Sequence, residues 1–166
     1  GNTKYTAGAM RFAYDGADDL MPLLRNPDDP RVKNADFGSY TTEKFANDLL
    51  GFNAGRPLSE EQQVLVHQSG ATMRWLASHG VKFEPIYSRQ SFEKQGRHVF
   101  WGGLTLAAEN EGVGLFDMEL AAVERLGGTV RYNSAVTDLI TEAGRVCGVK
   151  IGEEHLRADA VILACG

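Results

Sequence analysis

Apolar residues recur at helical spacing in three stretches of the chain. Thr42 precedes Phe45 and Leu49, which lie four apart, and Gly51 stands where such a helix would stop. Ser59 and Gln62 form a capping-box pair. Behind them Leu65, Thr72 and Leu76, with Val64, Ala71 and Trp75 on the adjoining rows, predict one apolar helix face that ends at Gly80. A third helix is predicted over Leu115–Leu126, closed by Gly127-Gly128.

After Gly128 the period changes to two. Thr129–Tyr132 predicts a short strand, Ala135–Thr141 a second, and Val146–Ile151 a third across a turn at residues 142–145. Another turn at Gly152-Glu153-Glu154 leads into His155–Arg157. The run Ala160-Val161-Ile162-Leu163-Ala164 is continuously apolar, as in a strand buried on both faces of a parallel sheet.

Three stretches carry weaker patterns. Residues 1–16 are rich in small residues and predict a short helix after a glycine-rich loop. Asp18–Ser39 is punctuated by Pro22 and Asn26-Pro27-Asp28-Asp29-Pro30 and reads as a loop excursion, since each proline removes a donor and restricts its neighbour. Residues 81–101 alternate poorly and predict irregular strand and loop. No period of 20–50 residues repeats, which excludes a solenoid. The expected fold class is therefore α+β, a mixed α/β arrangement: a helical lobe from about Tyr40 to Leu126, a small β-meander and one strand of a larger parallel sheet.

Composition narrows the function classes. The 166 residues are 43% hydrophobic and 23% charged, enough for one real core, and the net charge of −5 is spread without a basic stripe, so nucleic acid is not an expected partner. No apolar run reaches membrane-spanning length, and the start lacks the charged and apolar regions of a signal peptide. Cys147 and Cys165 stand without further ligands at metal spacing, which predicts two reduced thiols and a cytoplasmic protein.

Several residues carry candidate chemistry. Arg97 and His98, followed by Trp101-Gly102-Gly103, read either as a carboxylate pocket or as an exposed basic pair on a loop; Arg11 is the other cation of interest. His67 and His79 fall on a predicted helix as surface or half-buried side chains. Glu60-Glu61 suit a helix first turn. Gly112-Val113-Gly114 lacks the third glycine and the preceding strand of a dinucleotide fingerprint.

Residues 1–10 read Gly1-Asn2-Thr3-Lys4-Tyr5-Thr6-Ala7-Gly8-Ala9-Met10. With Gly144-Arg145-Val146-Cys147-Gly148-Val149, the run Ala158–Gly166, and the helix ending in Trp75-x-x-x-x-Gly80-Val81, they resemble the flavoprotein family of fumarate reductases and succinate dehydrogenases. Ala9 stands where that family has a glycine, and Cys165 where it has a threonine. The runs Met10–Gly16 and His98–Gly103 are similar to the tricarballylate dehydrogenases within that family.

The resemblance implies an internal section of an FAD-dependent oxidoreductase that dehydrogenates tricarballylate to cis-aconitate, or a similar polycarboxylate, and that is inactive as a section alone. It implies FAD contacts at Asn2, Thr3, Lys4, Ala7, Gly8, Ala9, Val136, Ala164, Cys165 and Gly166, with Arg11 and His98 on the substrate side and the catalytic acid or base outside the chain. It further implies a flavin-loop segment and excursion at 1–39, a helical substrate-side lobe at 40–104, and at 105–166 a helix and meander with one strand of a truncated FAD-binding parallel sheet. Expected partners are a small polycarboxylate, an electron-acceptor protein and a second copy of the section itself. Two alternatives remain: another member of the flavin family (fumarate reductase-like, ketosteroid dehydrogenase-like or a cobalamin-biosynthesis flavoprotein), and a free-standing, non-enzymatic binding domain.

Overall fold

The computed structural model describes residues Asn2–Ala164, and the chain divides into two compact units, Gly1–Gly127 and Gly128–Gly166. Helices and small sheets alternate, so the α+β class holds.

In the first unit, β1 (Ala9–Met10), β6 (Leu106–Ala108) and β3 (Phe83–Pro85) form one antiparallel sheet in the order β1-β6-β3. A second sheet has the order β2-β5-β4, with β2 (Ala35–Asp36) parallel to β5 (Arg97–Phe100) and β4 (Ser91–Lys94) antiparallel to it. Around them run α1 (Ala17–Leu20), α2 (Pro30–Lys33), α3 (Thr42–Phe52), α4 (Glu60–Ser78), α5 (Tyr87–Gln90) and α6 (Glu111–Arg125). Phe12, Leu20, Tyr40, Phe83 and Leu106 sit at the centre of the core. The unit draws on all three of the segments 1–39, 40–104 and 105–166: β1 from the first pairs with β6 from the third, and β3 from the second completes that sheet.

The capping box of α4 forms as its sequence predicts: Gln62 N–H donates to Ser59 Oγ at 3.2 Å and Ser59 N–H donates to Gln62 Oε1 at 3.1 Å. The buried face, however, is Val66, Ser69 and Met73, with Leu76 and Ala77 partly buried beside it. Val64, Leu65 and Trp75, expected inside, are exposed at 60%, 47% and 58%. Close approach decides the face. Ala13 N–H donates to Ser69 Oγ at 3.0 Å, and a Cβ on Gly70 would stand 2.8 Å from the Ala13 carbonyl oxygen, so only the Ser69-Gly70 side lets the helix meet that backbone.

Further expectations for the first unit are corrected. Asp18–Ser39 is not a loop excursion: it folds into α1, a 3-10 turn at Met21–Leu23, α2 and β2, and buries Leu20, Leu23, Leu24, Val32 and Phe37. Two of its prolines start helical turns instead of preventing them: Pro22 opens the 3-10 turn, and Pro30 takes the first position of α2, where the Asp29 side chain accepts from Arg31 N–H. The start of the chain turns in a 3-10 helix at Asn2–Tyr5 before Gly8, and then extends, because Ala9 and Met10 find ladder partners in Ala107 and Leu106. Helix α6 begins at Glu111, four residues before Leu115, with Gly112 N–H donating to the Thr6 carbonyl at 3.0 Å. Gly112-Val113-Gly114 is thus a helix first turn.

The second unit is the predicted meander: β7 (Asp138–Glu142), β8 (Arg145–Ile151) and β9 (Glu154–Arg157), antiparallel in that order, with turns at 143–144 and 152–153. Thr129–Tyr132 and Ala160–Ala164 are not strands. A strand is a property of a pair, and neither segment has a ladder partner among the described residues. The expected parallel-sheet strand is therefore absent from the described residues; Ile162 is 91% exposed and Leu163 65%.

Candidate functional site

The alternation Arg11-Phe12-Ala13-Tyr14 sends Phe12 and Tyr14 into the core and leaves Arg11 at the surface. Tyr14 and Tyr40 exchange two backbone hydrogen bonds of 2.9 Å, which brings the start of α3 beside Arg11. Thr41 caps α3 from Lys44 N–H, and Lys44 and Asp48 stand four apart along it.

The Tyr40 side chain joins these pieces. Its ring is 1% exposed and its hydroxyl donates to Asp48 Oδ2 at 2.6 Å, while Arg11 Nη1 donates to the same hydroxyl oxygen at 3.1 Å. The Arg11 guanidinium carbon lies 5.5 Å from the Tyr40 ring centroid and Lys44 Nζ 5.6 Å from it. Arg11 Nη1 is 3.9 Å from Asp48 Oδ2. Gly103 makes room: a Cβ there would stand 2.6 Å from Arg11 Nη1 and 3.1 Å from Tyr40 Cζ. Burial, reinforced by the Asp48 carboxylate, pushes the Tyr40 phenol above the ordinary tyrosine value, so it remains a donor at neutral pH.

On its other side Arg11 borders a groove of about 390 Å³ whose walls include Met10, Phe12, Val64, Leu65 and Leu76, with Glu61 and Gln68 at its polar positions. Chemically this is an anion-holding arrangement. It offers a part-exposed guanidinium, a second cation on the same ring and a loosely paired counter-ion, next to apolar surface. Among the described residues no His/Cys/Asp/Glu cluster could hold a metal ion. Nor, among the described residues, is any helix long and apolar enough to cross a membrane.

The other expected site residues lie as follows. His98 is on β5, its ring 4.7 Å from that of Tyr87 and its Nδ1 3.3 Å from Ser91 Oγ; no described contact joins it to Arg11. Arg97 is exposed and donates to the Ala35 carbonyl at 3.4 Å. Lys4 Nζ sits 4.5 Å over the Phe116 ring and 3.8 Å from Asp117, both on α6. Gly8 has φ of +61°, and the space a Cβ would fill is taken by the Glu111 backbone at 2.7 Å. The Thr3 carbonyl accepts from Thr6, Ala7 is half-buried, and Ala9 is committed to the ladder. Asn2 is exposed. Val136 and Ala164 are exposed in the second unit, and Cys165 and Gly166 lie outside the described residues.

Tyr40, Lys44 and Asp48 were not among the expected site residues, and Gly103, expected beside His98, stands against Arg11 and Tyr40 instead. Lys44 and Asp48 carry a local signal, one helical turn apart behind a Thr41 cap. Nothing local ties them to Arg11, which is more than thirty positions away.

The family model for flavin containing amine oxidoreductases matches residues 8–166. The chain belongs to that family. No solved structure matches it. Membership makes this a flavin oxidoreductase sequence. Lys4, Gly8 and Ala9 are occupied by protein contacts, and a Gly-x-Gly-x-x-Gly run is absent from the sequence, so the described residues do not by themselves build a flavin cradle.

Proposed function

We propose that this chain is the substrate-side part of an FAD-dependent dehydrogenase acting on a small carboxylate, with tricarballylate, oxidised to cis-aconitate, or a similar polycarboxylate as substrate. The observation that carries the reading is the part-exposed Arg11 guanidinium anchored on the Tyr40 hydroxyl. Flavin, when bound, supplies the acceptor for hydride. The residues of this chain bind and orient. Arg11 meets a carboxylate in two parallel hydrogen bonds, and Lys44 adds positive charge for a second carboxylate.

The apolar groove beside Arg11 favours a second reading within the same flavin chemistry, a substrate with one acidic or carbonyl group and an apolar body, as in the ketosteroid dehydrogenase-like alternative.

The test is dye reduction by the complete reading frame containing this chain, purified with FAD, offered tricarballylate, succinate and a long-chain carboxylate in turn. Turnover of tricarballylate supports the first reading. Turnover of the long-chain carboxylate alone favours the second, and turnover of none of them removes both. The same protein should show flavin absorbance bands near ~370 and ~450 nm, which belong to the cofactor.

A further inference from the structure

We infer that Asp48 is a built-in counter-ion which an incoming carboxylate displaces from Arg11, and that Tyr40 is the positioning residue that holds the guanidinium still while the exchange occurs. The inference rests on the reading of Arg11 as a carboxylate anchor.

The geometry separates two roles that one acidic residue usually combines. Asp48 is hydrogen-bonded to Tyr40 at 2.6 Å, but stands 3.9 Å from Arg11, too far for a charge-assisted hydrogen bond. The Arg11 and Asp48 side chains are 45% and 49% exposed, so their ion pair is of the weak, solvent-screened kind. The link between Arg11 and the protein is instead the Tyr40 hydroxyl. That hydroxyl has one proton, committed to Asp48, and its lone pair accepts from Nη1; the direction of both bonds is thereby set. The ring cannot swing away, being fully buried, tilted against Phe45 at 5.4 Å and covered by the bare Gly103 backbone.

Among the described residues this is the one hydrogen bond the Arg11 side chain makes, and that side chain is 45% exposed. A carboxylate arriving from solvent replaces a loose, monodentate neighbour with a bidentate one. Asp48 gives way to it, Tyr40 continues to accept from Arg11, and Lys44, one turn before Asp48 on α3, keeps positive charge beside the exchange. Among the described residues Lys44 makes no ion pair, which leaves it free for that purpose. No covalent step is involved; one anion takes the place of another.

The experiment is calorimetric titration of the complete, FAD-loaded protein with tricarballylate and with propionate as a minimal carboxylate. Asp48→Asn removes the competing charge but keeps an acceptor for Tyr40, and should tighten binding of both probes about 3- to 10-fold, in line with a coupling of ~1 kcal/mol between partly exposed charges. Tyr40→Phe keeps the ring and frees the guanidinium, and should weaken binding about 5- to 10-fold, the worth of one net hydrogen bond. Arg11→Lys should weaken it further, because a point charge replaces a fork.

A loss of affinity in Asp48→Asn, or no change, overturns the displacement, whereas a purely structural role for Asp48 predicts that loss. Unchanged binding in Arg11→Lys, or no binding of either probe to the unsubstituted protein, overturns the anchor reading itself and the inference with it. Should Tyr40→Phe fail to fold, the sign of the Asp48→Asn effect decides alone.

Discussion

The two units of this chain are held together by different means. Between residues 2 and 127 a run of aromatic and aliphatic side chains is removed from water, among them Phe12, Tyr14, Leu20, Tyr40, Phe83 and Leu106, and Phe37 stacks on Phe100 with centroids 4.8 Å apart. Between 128 and 164 the only buried residue is Gly148. That unit rests on its β-ladders and on cross-strand ion pairs such as Lys150–Asp138, together with Arg131–Glu154. Buried apolar area stabilises far more than exposed ion pairs do. The comparison explains why a site able to fix a guanidinium lies in the first unit: only there is a ring such as Tyr40 immobilised by packing on all sides.

The comparison is sharpened first by cavity creation. Phe83→Ala, at a position with no exposure, should destabilise the first unit by about 3–5 kcal/mol, whereas Val149→Ala in the second, only half-buried, should cost under ~1.5 kcal/mol. Urea unfolding followed by circular dichroism measures both, and equal shifts would break the contrast. Next comes the buried polar link of the core. The Tyr14 hydroxyl donates to the Phe37 carbonyl at 2.7 Å and meets Thr105 Oγ1 at 2.9 Å, so Tyr14→Phe should cost about 1–2 kcal/mol by leaving both unpaired.

Alkaline pH should act on the first unit in the same sense. Burial is the largest cause raising Tyr14, Tyr40 and Tyr87 above the ordinary value of 10.0. The neutral phenol is therefore preferred in the folded state; that stability is complete below pH ~10 and is lost as pH rises through the raised values. A fluorescence-monitored alkaline titration should show unfolding of the first unit above pH ~10.

The second unit should respond to acid. Arg131 holds the Glu154 carboxyl below its usual value, and Arg157 does the same for Glu142. For Asp138 the main cause is the Leu139 N–H, with Lys150 adding to it. These contributions are present above the usual carboxylate range and fade as pH falls through the lowered values. All three groups are exposed and solvent-screened, so Arg157→Gln should leave the neutral-pH unfolding midpoint unchanged within error. A small effect is also expected at Glu119 on α6, whose carboxyl is raised by burial; charging it disfavours the fold as pH rises. Glu119→Gln should stabilise the first unit by up to ~0.5 kcal/mol at pH 7 and not at pH 4.

Much of the architecture is written in short-range pattern. The Ser59–Gln62 capping box, the Ala143-Gly144 turn and the β7-β8-β9 meander need information only from residues a few positions apart, and each forms where the pattern puts it. The family is likewise a property of the linear sequence, matched over residues 8–166.

Where a partner distant in sequence decides, local pattern misleads. Apolar content put Val64, Leu65 and Trp75 inside, yet a hydrogen bond from Ala13 to Ser69 and the bare Gly70 turned the helix to another face. The run Ala160–Ala164 has a strand's composition but no ladder among the described residues. The site follows the same rule. Arg11 was legible as a cation of interest, but Tyr40, Asp48 and Gly103, at 29, 37 and 92 positions' remove, meet it only through the Tyr14–Tyr40 bridge and the Phe12–Gly103 hydrogen bond. Hydrophobic period, caps and turns are local and so were determined by sequence alone; which face is buried, which strand is paired and which charge meets which ring depend on close approach between distant segments, and the tertiary structure decided them.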